Sequence, residues 1–200
     1  MSPSLPGLPV EFIGSFPDPL HPLDPPLPEV AFLGRSNVGK SSLLNALTGR
    51  PGLARVSRTP GRTTTMNVFR FPTFYLIDLP GYGYARASHT ARAGFSELLE
   101  TYLAQRKTLS AVVWLLDIRH LPSAEDQAHR ESLAGREVPT LVVLTKADKL
   151  TRREQQKQSR AIAVALDLPD DQFHLTSSQA GTGINDLDAS LLAALAETTS

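Results

Sequence analysis

The chain predicts a doubly wound α/β domain: a mixed, mostly parallel sheet of about six strands with helices on both faces. Three observations predict it. From Glu29 onward, short β-branched or leucine-rich runs alternate with longer helical patterns. Two of those runs are separated only by Pro72 and its neighbours, far fewer than the dozen or so residues a parallel crossover needs, so that pair is antiparallel and the sheet is mixed. The 200 residues are 41% apolar and 20% charged, enough for one core and unlike a disordered, collagen-like or coiled-coil chain.

Nine of the 16 prolines precede residue 30. Residues 1–28 therefore read as a proline-rich arm of extended or polyproline II chain, in which helix is excluded. Val10 to Ile13 is either an edge strand or part of a loosely ordered lead-in. The domain proper runs from 29 to 200. Strands are expected at Val30 to Leu33, Met66 to Phe71, Thr73 to Ile77, Ala111 to Leu116, Thr140 to Leu144 and Gln172 to Leu175. Helices are expected at Lys40 to Thr48, Ala91 to Gln105, Ala124 to Ala134, Arg152 to Leu166 and Ile184 to Ala196, with Ser123, Thr151 and Thr182 near their N-caps.

Composition excludes several chemistries. There is no cysteine, hence no disulfide framework, thiolate nucleophile or cysteine-based metal site. The five histidines show no metal-ligand spacing, and His120 reads as structural. Runs such as Ala111 to Leu116 fall far short of the roughly 20 apolar residues that span a membrane, and the first basic residue is Arg35, too late for a secretory leader. A soluble, cytoplasmic, monomeric protein without a membrane partner is the expectation. Twenty basic residues balance twenty acidic ones, so a nucleic-acid partner would be met by a local patch and not by the field of the whole molecule.

Gly34-Arg35-Ser36-Asn37-Val38-Gly39-Lys40-Ser41 fits G-x-x-x-x-G-K-[ST], directly after the strand VAFL and directly before the helical run SSLLNAL. A chance match in a chain this long has a probability on the order of 1% before the flanks are counted. The chemistry accounts for the residues. Gly34 and Gly39 permit positive φ and close approach, so successive N–H groups converge on phosphate oxygens at a helix N-terminus. Lys40 adds a point charge, and the Ser41 hydroxyl suits a hard cation such as Mg²⁺ bridging β- and γ-phosphates. Asp78-Leu79-Pro80-Gly81 follows the apolar strand FYLI, where the carboxylate can reach that metal through water and the Gly81 amide can meet a γ-phosphate. Between these motifs Arg55 to Arg70 holds four arginines and no acid. It reads as a mobile basic loop that can bring one Thr hydroxyl or carbonyl to the metal; Thr63 is the choice, and one loop hydroxyl among three without such a role is the other reading.

A phosphate loop does not separate ATP from GTP. Thr145-Lys146-Ala147-Asp148 follows the strand TLVVL, and a carboxylate there can accept hydrogen bonds from both guanine N1–H and the 2-amino group, a donor pair adenine lacks. Leaving it unpaired would cost about 1–3 kcal/mol or more, enough to reject adenine. Lys146 can lay its aliphatic stem over the base. Thr176-Ser177-Ser178 follows the last strand, where small residues let a backbone N–H approach guanine O6.

Taken in order, GRSNVGKSSLLNAL, TPGRT, DLPGYGYA, DIRH, LTKADKL and SS closely resemble the EngB family of bacterial GTPases, from Glu29 to the C-terminus. The resemblance implies a Ras-like P-loop GTPase fold, binding of GTP or GDP with Mg²⁺, GTP hydrolysis, and a role in assembling the large ribosomal subunit that cell division and septation require. By matching positions it assigns the phosphates to Gly34 through Ser41, a switch segment to Gly61, Arg62, Thr63, Thr64 and Thr65, and the γ-phosphate to Asp78, Leu79, Pro80 and Gly81. It assigns guanine to Thr145, Lys146, Ala147, Asp148, Thr176, Ser177 and Ser178, and the metal to Ser41, Thr63 and, through water, Asp78. Lys40, Asn37, Thr63 and Gly81 stand at the reacting phosphate.

Two positions depart from GTPases at large. Thr145 replaces the usual Asn, and Tyr82 follows Gly81 where many small GTPases carry a water-orienting Gln. With no side-chain base in view, slow hydrolysis dependent on a ribosomal partner or on K⁺ is expected. Asn37, placed where related potassium-activated GTPases bind the ion, motivates the K⁺ route. Its alternative is a loop-stabilising amide. Arg55, Arg58, Arg62, Lys149, Arg152, Arg153, Lys157 and Arg160 are candidate rRNA contacts; a solvated basic face is the other reading. A nucleotide-gated binding module that barely hydrolyses GTP, and an ATPase or small-molecule kinase, are the rival functions.

Overall fold

A computed structural model of the chain describes residues 4–54, 65–83, 89–169 and 171–197, the side chains of residues 89–92 excepted. Seven strands form one sheet: β1 (Glu11–Phe16), β2 (Glu29–Gly34), β3 (Met66–Arg70), β4 (Tyr75–Asp78), β5 (Leu109–Asp117), β6 (Thr140–Thr145) and β7 (Phe173–Leu175), in the order β1-β3-β4-β2-β5-β6-β7. The β1/β3 and β3/β4 pairs are antiparallel and the rest are parallel. The fold is thus α/β and mostly parallel, with one strand more than the expected six. Among the described residues five α-helices cover it: α1 (Lys40–Thr48), α2 (His89–Gln105), α3 (Ala124–Ala134), α4 (Arg152–Leu166) and α5 (Ile184–Glu197).

The central strands are buried on both faces, and β5 carries an almost unbroken apolar run, as a parallel sheet between two helix layers requires. One core layer joins Leu33, Val112 and Trp114 to Phe95, Leu99 and Tyr102 of α2, Leu133 of α3 and Ile162 of α4. The other joins Phe32, Val113 and Val143 to Leu43 and Leu47 of α1 and Leu187 and Leu191 of α5. Trp114, Val112 and Val113 are core residues, as the sequence reading expects.

Local signals place the helices. Ser123 and Thr151 each close a capping box, with Asp126 and Glu154 reaching back to the cap, an arrangement worth about 1 kcal/mol apiece. Thr182 does not cap α5. The helix starts at Ile184, and Thr182 instead accepts the Ser177 amide in an isolated bridge.

The segment before β2 departs most from a bare extended arm. Leu5–Gly7 forms a single 3-10 turn, which its prolines permit because Pro6 sits in the first turn where no intrahelical N–H is needed. Leu5 is wholly buried and its amide donates to the Asp188 carboxylate of α5 at 3.2 Å. Burying that side chain contributes about 1.5–3 kcal/mol. Of the two readings of Val10 to Ile13, the edge strand is the one found, at Glu11–Phe16. At the amino end of β2, Glu29 is 1% exposed and accepts from Tyr102 Oη and Arg106 Nε, each at 2.7 Å, and from the Thr108 hydroxyl. Arg106 also donates to His21 O at 2.8 Å, fastening residues 21–28 to that end of the sheet.

Candidate functional site

The opposite end of the sheet gathers the chemistry. β2, β4, β5, β6 and β7 run parallel, so the segments that leave their carboxyl ends converge: Gly34 to Ser41, Asp78 to Gly81, Asp117 to Pro122, Thr145 to Asp148 and Thr176 to Ser178. β2 lies between β4 and β5, where successive crossovers turn in opposite directions and a doubly wound sheet opens its crevice.

The phosphate loop is held in shape by backbone. Gly39, with φ 109°, immediately precedes α1, a conformation that disfavours a side chain. Gly34 does not use the positive φ that glycine permits. It is required for proximity, since a Cβ there would lie 2.9 Å from Val38 Cγ1 and 3.1 Å from Leu115 O. Asn37 takes the positive φ instead, at 64°. Ser36 N donates to Tyr82 O at 2.7 Å and Tyr82 N to Gly34 O at 3.3 Å, stitching the loop to the Asp78–Gly81 turn. Lys40 points along the crevice to the Asp78 carboxylate, whose second oxygen accepts Asn67 Nδ2 at 3.1 Å. Burial draws the Lys40 ammonium down to about 7, and the adjoining carboxylate favours its charged form.

On the far side of the loop, Lys146 has φ 62° and sends Nζ to Asn37 O at 2.7 Å and to Asp117 Oδ2 at 2.8 Å. Burial works to raise the Asp117 carboxyl. Hydrogen bonds from Arg119 and Lys146 prevail and hold it well below the usual carboxylate range. Thr145 is 4% exposed, and its hydroxyl donates to Val38 O at 2.7 Å. Its side chain therefore bolts the loop after β6 to the phosphate loop, a use that needs one donor and no amide. Asp148 is exposed; Ser177 Oγ donates to it at 2.6 Å and Lys149 Nζ lies 2.9 Å away, so both lower its pKa and keep it an acceptor. Ser177 Oγ accepts the Ala180 amide at 3.0 Å, and Thr176 O accepts the Ala147 amide at the same distance. Ser178 is half-buried in the same turn.

Tyr82 follows Gly81 but turns inward. It is 2% exposed; its hydroxyl donates to Asp126 Oδ1 at 2.8 Å and accepts Trp114 Nε1 at 2.9 Å, and its ring meets His129 edge-on at 4.3 Å. Burial, then the Asp126 charge, pushes the phenol far above its ordinary range. A cleft of about 380 Å³ runs beside the phosphate loop, lined by Arg35, Asn37, Asp117, Arg119, His120 and Lys146. His120 is exposed there and not part of the core.

The structure thus brings together Gly34 to Ser41, Asp78 to Gly81, Thr145 to Asp148 and Thr176 to Ser178. Thr65 is described just ahead of β3, whereas Gly61, Arg62, Thr63 and Thr64 lie outside the described residues, as do Arg55 and Arg58. The sequence reading gave no role to Asp117, Asn67 or Asp126. Asp117 carries the same signature that marks Asp78, an acid ending an apolar parallel strand. Asn67 and Asp126 carry no such local signal.

A phosphate loop at the switch point, an acid-to-glycine turn beside it and a carboxylate presented after β6 define a P-loop GTPase of Ras-like fold. A family profile described as 50S ribosome-binding GTPase matches residues 29–146. Relatives bearing the name probable GTP-binding protein EngB include one from Syntrophomonas wolfei, 45% identical over 82% of this chain and 86% of the relative, and one from Geobacter metallireducens, 44% identical over 93% and 92%. The chain belongs to the EngB family of GTP-binding proteins and is a GTP hydrolase. Among solved structures, a probable GTP-binding protein engB shares the fold at TM-score 0.72 and 23% identity, covering 84% of this chain and 99% of that one. The structure of Era with MgGDPNP and a segment of 16S ribosomal RNA aligns at TM-score 0.60 and 22% identity, over 84% and 56%.

Proposed function

We propose that this protein is a GTP-dependent assembly factor of the large ribosomal subunit, acting in the cytoplasm and required for normal cell division and septation. The observation that carries the reading is the convergence of the Gly34–Ser41 loop, the Asp78–Gly81 turn and the Asp148–Ser177 pair at one end of the sheet, in a chain whose family profile is described as ribosome-binding.

Amides of the phosphate loop and the α1 N-terminus grip the phosphates, and Lys40 exchanges the Asp78 carboxylate for phosphate oxygens. Ser41 and Asp78 are hard oxygen donors at neighbouring loop ends and fit Mg²⁺, with Thr63 as the hydroxyl from the switch segment. Held by these residues, the ion would supply positive charge to the phosphate oxygens. The Gly81 amide senses the γ-phosphoryl group. Asp148 accepts guanine N1–H and the 2-amino group, and Lys146 covers the base. The Ser177 amide is committed to Thr182 O, so the O6 contact falls to the amides that follow it.

Because the Tyr82 hydroxyl is engaged in the core, intrinsic hydrolysis is slow and a ribosomal partner, or K⁺ at Asn37, supplies the missing activation. Titration with labelled GDP, GTP and ATP in Mg²⁺ tests the nucleotide; ATP binding as tightly as GTP would overturn it. Single-turnover hydrolysis with and without large ribosomal particles tests the partner, and comparison of KCl with NaCl tests the ion. Equal rates in each pair would remove those parts of the reading.

A further inference from the structure

We infer that Asn67, braced by Ser15 of the edge strand β1, is a positioning residue for GTP hydrolysis that acts through Asp78, keeping its carboxylate aimed at the metal once Lys40 has left it for phosphate; this rests on the Mg²⁺ reading above. Three neighbouring strands supply the row. Ser15 of β1 stands opposite Asn67 of β3, and Asn67 opposite Asp78 of β4, both in antiparallel pairs. Residues directly opposed across such a pair lie on one face of the sheet, so the three side chains share a face, and Lys40 reaches it from the start of α1.

The hydrogen bonds along the row run in one direction. A carboxylate accepts and does not donate, so the Asn67 amide presents Nδ2 to Asp78 Oδ2, at 3.1 Å, and its carbonyl oxygen is left to accept the Ser15 hydroxyl, at 2.6 Å. Lys40 takes the other Asp78 oxygen. Asp78 is 6% exposed, and among the described residues Lys40 and Asn67 are the two side chains bonded to its carboxylate. Asn is disfavoured in strands, yet here it stands between the wholly buried Met66 and Val68. The row gives it a use that the local sequence does not show.

The two partners of Asp78 differ in what nucleotide does to them. Lys40 must give up the carboxylate to meet phosphate oxygens, whereas Asn67 sits on a strand with both ends of its amide engaged and keeps its bond. Asn67 is therefore the contact that holds the carboxylate in one rotamer while the metal is bound. Partners that orient a metal-binding carboxylate without touching the ion typically change metal affinity about 10- to 100-fold. Asp78 acts through water, which places Asn67 at about tenfold, the lower end. Ser15 is exposed and one bond further out, and loss of its neutral hydrogen bond corresponds to about two- to threefold. By this route the segment before β2 is tied to the reaction centre as well as to the sheet edge.

The test is titration of the full chain with a fluorescent non-hydrolysable GTP analogue, in EDTA and then across a series of Mg²⁺ concentrations, for wild type, Asn67→Leu and Ser15→Ala. Leu matches Asn in branching and size and removes the amide. Mg²⁺ should tighten binding to wild type. Asn67→Leu should need about tenfold more Mg²⁺ for half of that gain, and Ser15→Ala about two- to threefold more, with affinity in EDTA within about twofold of wild type for both. A Mg²⁺ requirement in Asn67→Leu equal to that of wild type overturns the positioning role and leaves the Mg²⁺ reading standing. Binding weakened equally in EDTA and in Mg²⁺ makes Asn67 a structural residue and also overturns it. Ser15→Ala with the wild-type requirement overturns the brace from β1. Wild type whose binding does not respond to Mg²⁺ overturns both the inference and the reading it rests on.

Discussion

Tyr82→Phe separates a structural role from a catalytic one at the position where a water-orienting residue stands in many GTPases. The substitution removes one oxygen and leaves the ring in place. Trp114 Nε1, in a side chain 1% exposed, then loses its acceptor, at a cost of about 1–3 kcal/mol for a buried unsatisfied donor. Asp126 loses one of its donors but keeps Ser123 N at 2.7 Å and Ser123 Oγ at 2.6 Å, so its share is the smaller part of the about 1.5–3 kcal/mol typical of a hydrogen bond to a charged group. The two losses share an atom and do not add fully. A net destabilisation of about 2–4 kcal/mol is expected, which for a domain of this size lowers the melting temperature by about 5–12 °C. GTP turnover at a temperature where both proteins are folded should stay within about twofold of wild type, because the hydroxyl faces Asp126 and Trp114 and not the phosphate loop. Calorimetry and single-turnover hydrolysis read the two quantities. An unchanged melting temperature, or turnover lost without loss of stability, would refute the reasoning.

Asp117→Ala should weaken GDP binding about tenfold, or about 1.4 kcal/mol, since Lys146 loses one of the two partners that fix it between Asn37 O and the base site; a fluorescent-GDP titration giving wild-type affinity would contradict it. Burial lowers the pKa of His129, and of His174, in the folded chain. Each is therefore more easily protonated when unfolded. Their contribution is present above the unfolded value near about 6.5 and is lost as pH falls through the folded values, so urea midpoints should drop below about pH 6.5. His129→Phe should flatten that decline, and parallel curves for wild type and variant would count against the assignment.

Much of this site is legible in sequence because its parts are local. A glycine-rich segment between an apolar run and a helical one, or an acid ending a buried run, declares its place at the carboxyl edge of a parallel sheet without any knowledge of its neighbours. What is not legible is the joinery between segments. Thr145 looks like a weakened Asn until its hydroxyl is seen on Val38 O, 107 residues away in sequence. Tyr82 looks like a vacant catalytic position until its hydroxyl is seen between Trp114 and Asp126. Glycine spacing also does not show which positions of the loop are left-handed: Gly39 and Asn37 take positive φ, whereas Gly34 is needed for close approach. The edge strand failed to stand out for a related reason. Proline density reports backbone restriction, whereas the pairing of Glu11–Phe16 depends on β3 across the sheet.

The central claim is that the Asp148 carboxylate, held by Ser177, reads the donor edge of guanine. Xanthine replaces the 2-amino donor with a carbonyl acceptor, so a side chain that can donate should reverse the choice. The direct measurement is competitive titration of GDP against XDP on wild type and on Asp148→Asn. Wild type should prefer GDP strongly and the variant should prefer XDP. A variant that keeps the wild-type preference for GDP would contradict the account.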